Sequence, residues 1–302
     1  MLIDLKKVNC SYNTNNVVLS IEDLQIYENE LVFFIGPSGV GKSTLLETLG
    51  LMNNTVDSYR YKKFDLAFQN KIDFKFLWNN SSLKTNYRKN YFSFIFQDDN
   101  LFDSMSVMEN AISAKVIQSQ NLSIIYSKAL VLIGKLLYDI FDKSIDCETS
   151  LALCDSNLSD SQKIKLINQK TYQKLTIFNR LNSRSTSELS GGQKQRLSFI
   201  RAILTDFKLL FADEPTGNLD VKKAEEAIYC LKQQLVERSA IVVSHDLNLA
   251  IKFADRIIAI RKKNNKGVID INSIFTKDKD SWNYNDKKYD DYETINILQK
   301  LM

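Results

Sequence analysis

Apolar and polar positions alternate in short bursts through residues 1–35, the period of strands with one covered face. Leu31–Ile35 (LVFFI) replaces that alternation with five apolar residues in a row, which predicts a strand buried on both faces. A helix is expected over 42–51 and a strand over 91–96 (YFSFIF). Between them, 53–90 is rich in aromatics, Asn and Lys without a clear period. Helical spacing returns at 107–117 and 129–141. A polar stretch at 142–160 separates these from further helical residues at 164–178. A helix over 193–204, strands at 208–212 and 240–243, and a helix at 224–235 between those strands complete the central pattern. Residues 256–260 read as the last core strand, and 262–302 as a Lys-, Asp- and Asn-rich tail ending in a weak helix at 292–301. Strands alternating with helices predict an α/β fold, a parallel sheet covered on both faces. No internal repeat is visible.

Bulk composition narrows the class only slightly. The chain has 302 residues, enough for one large domain with insertions or for two. It is 44% hydrophobic and 25% charged, as ordinary globular proteins are. A net charge of +4 points to neither a dedicated nucleic-acid binder nor a polybasic membrane anchor. Cys10, Cys147, Cys154 and Cys230 form no CxxC, which argues against structural zinc and for reduced thiols in a cytosolic protein. The longest apolar runs fall far short of the ~20 residues of a spanning helix. The first residues lack the pattern of a secretory signal.

The scarce residues are more informative. The chain holds nine glycines, two prolines and one histidine. Gly36, Gly39, Gly41 and Pro37 fall in GPSGVGKS, Gly191 and Gly192 in LSGGQ, Gly217 and Pro215 in ADEPTGNLD, and His245 in VVSHD. A chain that otherwise avoids glycine keeps it where backbone must approach a ligand or turn sharply. Gly36-Pro37-Ser38-Gly39-Val40-Gly41-Lys42-Ser43-Thr44 matches GxxxxGK[ST] between a predicted buried strand and a predicted helix, the context that gives the motif meaning. There, successive backbone N–H groups form an anion nest, and the new helix adds free N–H groups and its positive dipole end. Lys42 can reach the β- and γ-phosphates, and Ser43 can ligate Mg²⁺.

Asp213 and Glu214 close an apolar strand. Ligands of open parallel sheets sit beyond the carboxyl ends of strands. Asp213 is then placed to hold Mg²⁺, and Glu214 to orient or deprotonate an attacking water. Alone, the pair would read as a solvated strand end; the glycine loop upstream changes that reading.

The remaining motifs resemble those of ATP-binding cassette (ABC) ATPases. Leu189-Ser190-Gly191-Gly192-Gln193 is similar to the family signature, and Gln97, closing FSFIFQ, to its Q-loop. Residues 217–220 (GNLD) resemble the D-loop, and 244–246 (SHD) the switch-histidine segment. Tyr12 stands where the family stacks an aromatic on adenine. All occur in family order over about residues 1–262, leaving 263–302 as a C-terminal extension. The resemblance implies a P-loop core with an N-terminal antiparallel β-subdomain and a helical subdomain, about 104–188, inserted after Gln97. It implies two copies, identical or not, closed head-to-tail around two ATPs. Each γ-phosphate would meet Lys42 of one copy and Ser190 and Gly192 of the other. His245 would contact the γ-phosphate, Asp220 would link the two sites, and Gln97 would touch Mg²⁺.

The wording PTGNLD, with FQDDNLFDSMSVMENA, resembles the ATPases of lipoprotein-release, macrolide-efflux and cell-division (FtsE-like) systems. That implies ATP hydrolysis coupled to a separate integral membrane permease, with the chain cytoplasmic and peripheral on the inner face of the membrane. Competing readings are an importer ATPase for amino acids or phosphonates, a soluble ABC ATPase acting on nucleic acid or ribosomes, and a scaffold that uses ATP only to dimerise. No concentrated basic stripe supports nucleic acid. Two departures stand out: Asn29 where the family has glycine, and Thr186 where it has proline. The segment 107–187 is also longer than the family's, with the excess near 140–165.

Overall fold

A computed structural model describes residues 1–13, 16–56, 61–68, 70–118, 121–140, 161–162 and 181–302. The helical expectation at 164–178, nearly all of the 140–165 excess, Cys147 and Cys154 lie outside the described residues. The chain divides into two compact units.

The first unit comprises residues 1–94, 207–215 and 228–302. Its larger sheet is built around β3 (Leu31–Ile35). That strand pairs in parallel with β8 (Ser239–Ser244) on one side and β9 (Arg256–Ala259) on the other. β7 (Leu209–Asp213) lies parallel beyond β8, and β6 (Phe92–Ile95) closes that edge. With neighbours on both edges and side chains covered on both faces, all five β3 residues are fully buried. Burying each phenylalanine contributes roughly 2–3 kcal/mol, which explains the unbroken apolar run. The turn before β3 carries Asn29 at φ 61. Asparagine is among the few residues that accept this left-handed conformation without large cost, so it can stand where the family has glycine.

The smaller sheet runs β10-β11-β2-β1-β4-β5. β1 (Ile3–Asn13) and β2 (Asn16–Ile26) form a long antiparallel hairpin, flanked by β4 (Lys63–Ala67) and β5 (Lys71–Asp73). β10 (Arg261–Lys263) and β11 (Lys266–Ile269) complete it, β11 pairing in parallel with β2. Among its described residues, the stretch 53–90 thus contains two strands and two helices, α2 (Phe74–Asn79) and α3 (Ser81–Asn90). Phe64 stacks on Phe74 with ring centroids 4.2 Å apart, which puts the aromatics of this region into the core.

Two expectations are corrected. Strand β9 is not the last of its sheet, and the sheet is not parallel throughout. β12 (Ile274–Asp278) pairs antiparallel with β9, followed by β13 (Ser281–Tyr284) and β14 (Lys287–Tyr289). Trp282 on β13 is fully buried, and its indole N–H donates to Asp291 Oδ1 at 2.9 Å. The final helix, Asp291–Leu301, opens on a capping box between Asp290 and Glu293. The tail read as polar because its strands are short and cover one face only.

The second unit comprises residues 95–206 and 216–227. Among its described elements, α4 (Val107–Gln118) and α5 (Leu122–Leu136) pack against α6 (Gly191–Leu204). Buried Asn110 ties the loop after Gln97 to α4: its amide donates to the carbonyls of Phe102 and Met105 and accepts from the Phe102 N–H. Thr186, fully buried, donates its hydroxyl toward the same two carbonyls at 3.3 and 3.4 Å, hydrogen bonds a proline could not make.

Candidate functional site

The loop 36–41 joins β3 to α1 (Lys42–Leu49). Gly39 and Gly41 sit at φ 74 and φ 95, torsions that other residues adopt only with strain. Buried Val40 anchors the loop, while Ser38 and Ser43 are exposed and Pro37 half-buried. Lys42 Nζ donates to the carbonyls of Gly36 at 2.8 Å and Pro37 at 3.0 Å, so the ammonium arches over the loop. Burial pushes its pKa below the ordinary lysine value, against the opposing pull of Glu214 and Asp213. A partly desolvated cation beside an array of backbone N–H groups suits a polyphosphate. Tyr12 presents a largely exposed ring, and its hydroxyl lies 3.1 Å from Thr44 Oγ1 on the first turn of α1.

Asp213 ends β7 half-buried. Glu214 follows at φ 46, outside the ordinary range for a glutamate. Its N–H donates to Val243 O at 2.9 Å, which fastens the strained residue to β8. From β8 the chain runs to His245, whose Nδ1 lies 2.9 Å from Glu214 Oε2. His245 is 75% exposed and Glu214 19%. Asp246 caps the next helix, Leu247–Phe253, through the N–H groups of Asn248 and Leu249, which holds the histidine at the mouth of the strand end. The first unit therefore assembles Tyr12, the 36–44 loop, Asp213, Glu214 and His245.

The second unit carries the other motif residues. Ser190 is the N-cap of α6: its hydroxyl accepts from the Gln193 N–H, and the Gln193 side chain accepts from the Ser190 N–H. Gly191 is open, and a Cβ there would meet nothing within 4 Å. A Cβ on Gly192 would fall 3.1 Å from the Asn218 carbonyl, so signature and D-loop backbones run side by side. Asp220 caps α7 (Val221–Gln233) through the Lys223 N–H at 2.9 Å, a bond that holds its carboxyl below the ordinary range. Gln97 is exposed in a bend just beyond β6.

Two residues at the end of the signature segment, 189–196, had no role assigned from the sequence. Buried Gln195 accepts from the Asn218 N–H at 2.9 Å and so fixes the D-loop to α6. Arg196, 2% exposed, donates to Gly192 O, Leu136 O and Asp139 Oδ2 at 3.1, 2.8 and 2.7 Å. Burial raises the Asp139 pKa, but Arg196 and Lys223 together hold it below the ordinary value. A polar residue three or four places after LSGG carries no periodic signal of burial; only its place inside the helix stripe hinted at it.

Residues 19–217 match the family model described as ABC transporter. The chain is 32% identical over 267 residues to the lipoprotein-releasing system ATP-binding protein LolD of Wigglesworthia glossinidia brevipalpis, covering 86% of this chain and 94% of that one. It is 30% identical over 264 residues to the macrolide export ATP-binding/permease protein MacB of Nitrobacter winogradskyi, of which it spans 33%. Among solved structures, it resembles the dimeric ATP-binding cassette MJ0796 of Methanocaldococcus jannaschii in a post-hydrolysis state bound to ADP and Pi. The TM-score is 0.58 at 25% identity, covering 88% of this chain and 96% of that one. The chain belongs to the ABC transporter family, as one of its ATP-binding, ATP-hydrolysing cassettes.

Proposed function

We propose that this cassette drives a membrane permease of the lipoprotein-release or macrolide-export kind by closing with a second cassette around ATP. Among the described residues no helix is long and apolar enough to cross a membrane. The MacB relative is named for an ATP-binding part and a permease part, and this chain spans only a third of it. The LolD relative, of which this chain covers 94%, is itself named as the ATP-binding protein of a releasing system, which supports a permease supplied separately, with this chain peripheral on the cytoplasmic face. The neighbouring MJ0796 structure is a dimer, which supports pairing. These relatives do not favour action on nucleic acid or ribosomes.

The loop N–H groups and Lys42 bind the phosphates, and Tyr12 offers its exposed face to adenine. Ser43, exposed on the first turn of α1, and Asp213, close enough to act on Lys42, form an oxygen donor pair of the kind Mg²⁺ takes beside phosphate. When bound, the ion would neutralise charge developing on the phosphate oxygens; Gln97 is a third candidate ligand. Glu214 orients and deprotonates the attacking water, and His245 contacts the γ-phosphate. Ser190, Gly191, Gly192 and Gln193 offer the partner's nucleotide a helix N-terminus, and Asp220 couples the two sites. The observation that carries this reading is the series Lys42, Glu214 and His245 beyond the ends of the neighbouring strands β3, β7 and β8, cation to carboxylate to imidazole.

The test is Ser190→Arg, which leaves the first unit's nucleotide loop untouched. It should bind a fluorescent ATP analogue as the parent does, yet neither dimerise on gel filtration nor turn over. Normal turnover by this variant would remove the two-cassette reading.

A further inference from the structure

The nucleotide loop touches a part of the chain beyond the family-matched residues. A Cβ built on Gly267 would lie 2.2 Å from the carbonyl oxygen of Val40, 2.8 Å from Leu19 Cδ1 and 3.1 Å from Ile260 Cγ2. Gly267 does not have a positive φ. Its requirement is therefore space, unlike that of Gly39 and Gly41, whose torsions demand glycine. On the other side, a Cβ on Gly36 would come 2.7 Å from the Ile260 carbonyl, and one on Gly41 3.2 Å from Val18 Cγ1. Ile260, β11 and β2 thus enclose the outer wall of the loop.

We infer that Gly267 is a positioning residue for phosphate binding: the bare backbone of β11 seats the Val40 carbonyl and so aims the Gly41 N–H. The Val40–Gly41 peptide is trans and planar, so its C=O and N–H point in opposite directions. A carbonyl pressed outward against Gly267 turns the following N–H inward, away from β11. The hairpin that delivers Gly267 is itself held firmly. Asn264 and Asn265 are both left-handed, as the two central residues of a type I′ hairpin turn are. Lys262 pairs with Gly267 across the hairpin, and β11 lies in register with β2, Gly267 opposite Leu19. Arg261 is ion-paired with Asp270, and Ile269 is fully buried. The inference rests on the reading that residues 36–44 hold phosphate.

Gly267→Ala in the full chain tests it. The KM for ATP and the Kd for ADP should rise about tenfold, the loss expected from misdirecting one hydrogen bond to a charged group. The kcat at saturating ATP should stay within about twofold, because ground-state and transition-state contacts weaken together. Lys263→Ala, exposed on the same hairpin, should leave both unchanged. The double variant Gly267→Ala/Leu19→Ala relieves the side-chain crowding but not the Val40 contact, so its affinity should stay low; recovery there would overturn the inference. Should Gly267→Ala fail to fold, Arg261→Ala loosens the hairpin instead and should raise KM about threefold, about the effect of a weakened surface-proximal ion pair; an unchanged KM would overturn the inference. Parental affinity in folded Gly267→Ala, with Lys42→Ala losing ATP, would refute the positioning role alone. Parental affinity in both would instead refute the phosphate reading.

Discussion

His245 Nδ1 and Glu214 Oε2 lie 2.9 Å apart at the ends of two adjacent parallel strands. The glutamate reaches this position through a left-handed backbone, which its N–H bond to Val243 O helps hold. Such strain persists where surrounding structure over-determines it, commonly at active sites.

Glu214→Gln should retain ATP binding, lower steady-state phosphate release at least about 100-fold, and accumulate a dimer on gel filtration with ATP. The amide keeps the shape and one acceptor but takes no proton. Near-parental turnover would deny Glu214 the role of base. His245→Ala should lower kcat with little change in KM if the imidazole acts mainly in the transition state.

ATP affinity should fall at alkaline pH. The half-buried Lys42 ammonium loses its proton below the ordinary lysine value in the folded protein without nucleotide. Between that lowered value and the unfolded one, near ~10.4, the unfolded chain binds more protons, so Lys42 makes stability rise with pH in that window. Bound phosphate favours the ammonium, so affinity is full below the lowered value and declines above it. Titration of a fluorescent ATP analogue from neutral to alkaline pH measures this. Lys42→Arg, whose guanidinium keeps its charge, should give a flat profile at whatever affinity it retains.

Arg196→Met should destabilise the second unit by about 2–3 kcal/mol, because it takes the guanidinium from the Leu136 carbonyl and leaves the partly buried Asp139 carboxylate with the longer 3.5 Å contact to Lys223. Urea unfolding followed through helical signal would show it. Arg196→Lys should recover only part of the loss, since an ammonium cannot reach three divergent acceptors in the guanidinium's planar geometry.

Trp282→Ala should cost about 3–5 kcal/mol. It empties a fully buried volume and removes the indole bond to Asp291. Denaturant midpoints with and without ATP would measure the cost, and a loss under about 1 kcal/mol would mean that the β12–β14 segment folds independently of the core.

What could be read in the sequence follows physical lines. Leu31–Ile35 was visible because burial on both faces leaves no polar position. The nucleotide motifs were visible because a glycine-poor chain spends glycine where torsion requires it, at Gly39 and Gly41. Helix α3 was hidden because Tyr87 is its one buried residue, which leaves no stripe to detect. β12 and β14 were hidden because three to five residues with one wet face barely alternate. The strain at Glu214 and the burial of Arg196 depend on partners distant in sequence, Val243 and Asp139 among them. Gly267 stands in the polar tail outside every motif; the distance to Val40 reveals it as an approach point.

The meander β12–β14 also decides how the molecule behaves in a crowded solution. Without it, β9 would present the open rim of the large sheet, a row of unsatisfied amides along Arg256–Ala259 ready to recruit a neighbouring chain. With it, the rim becomes a three-residue strand bearing Lys287 and Lys288, short and positively charged. The tail thus acts as a selvedge that keeps the large sheet from knitting onto another copy at that edge.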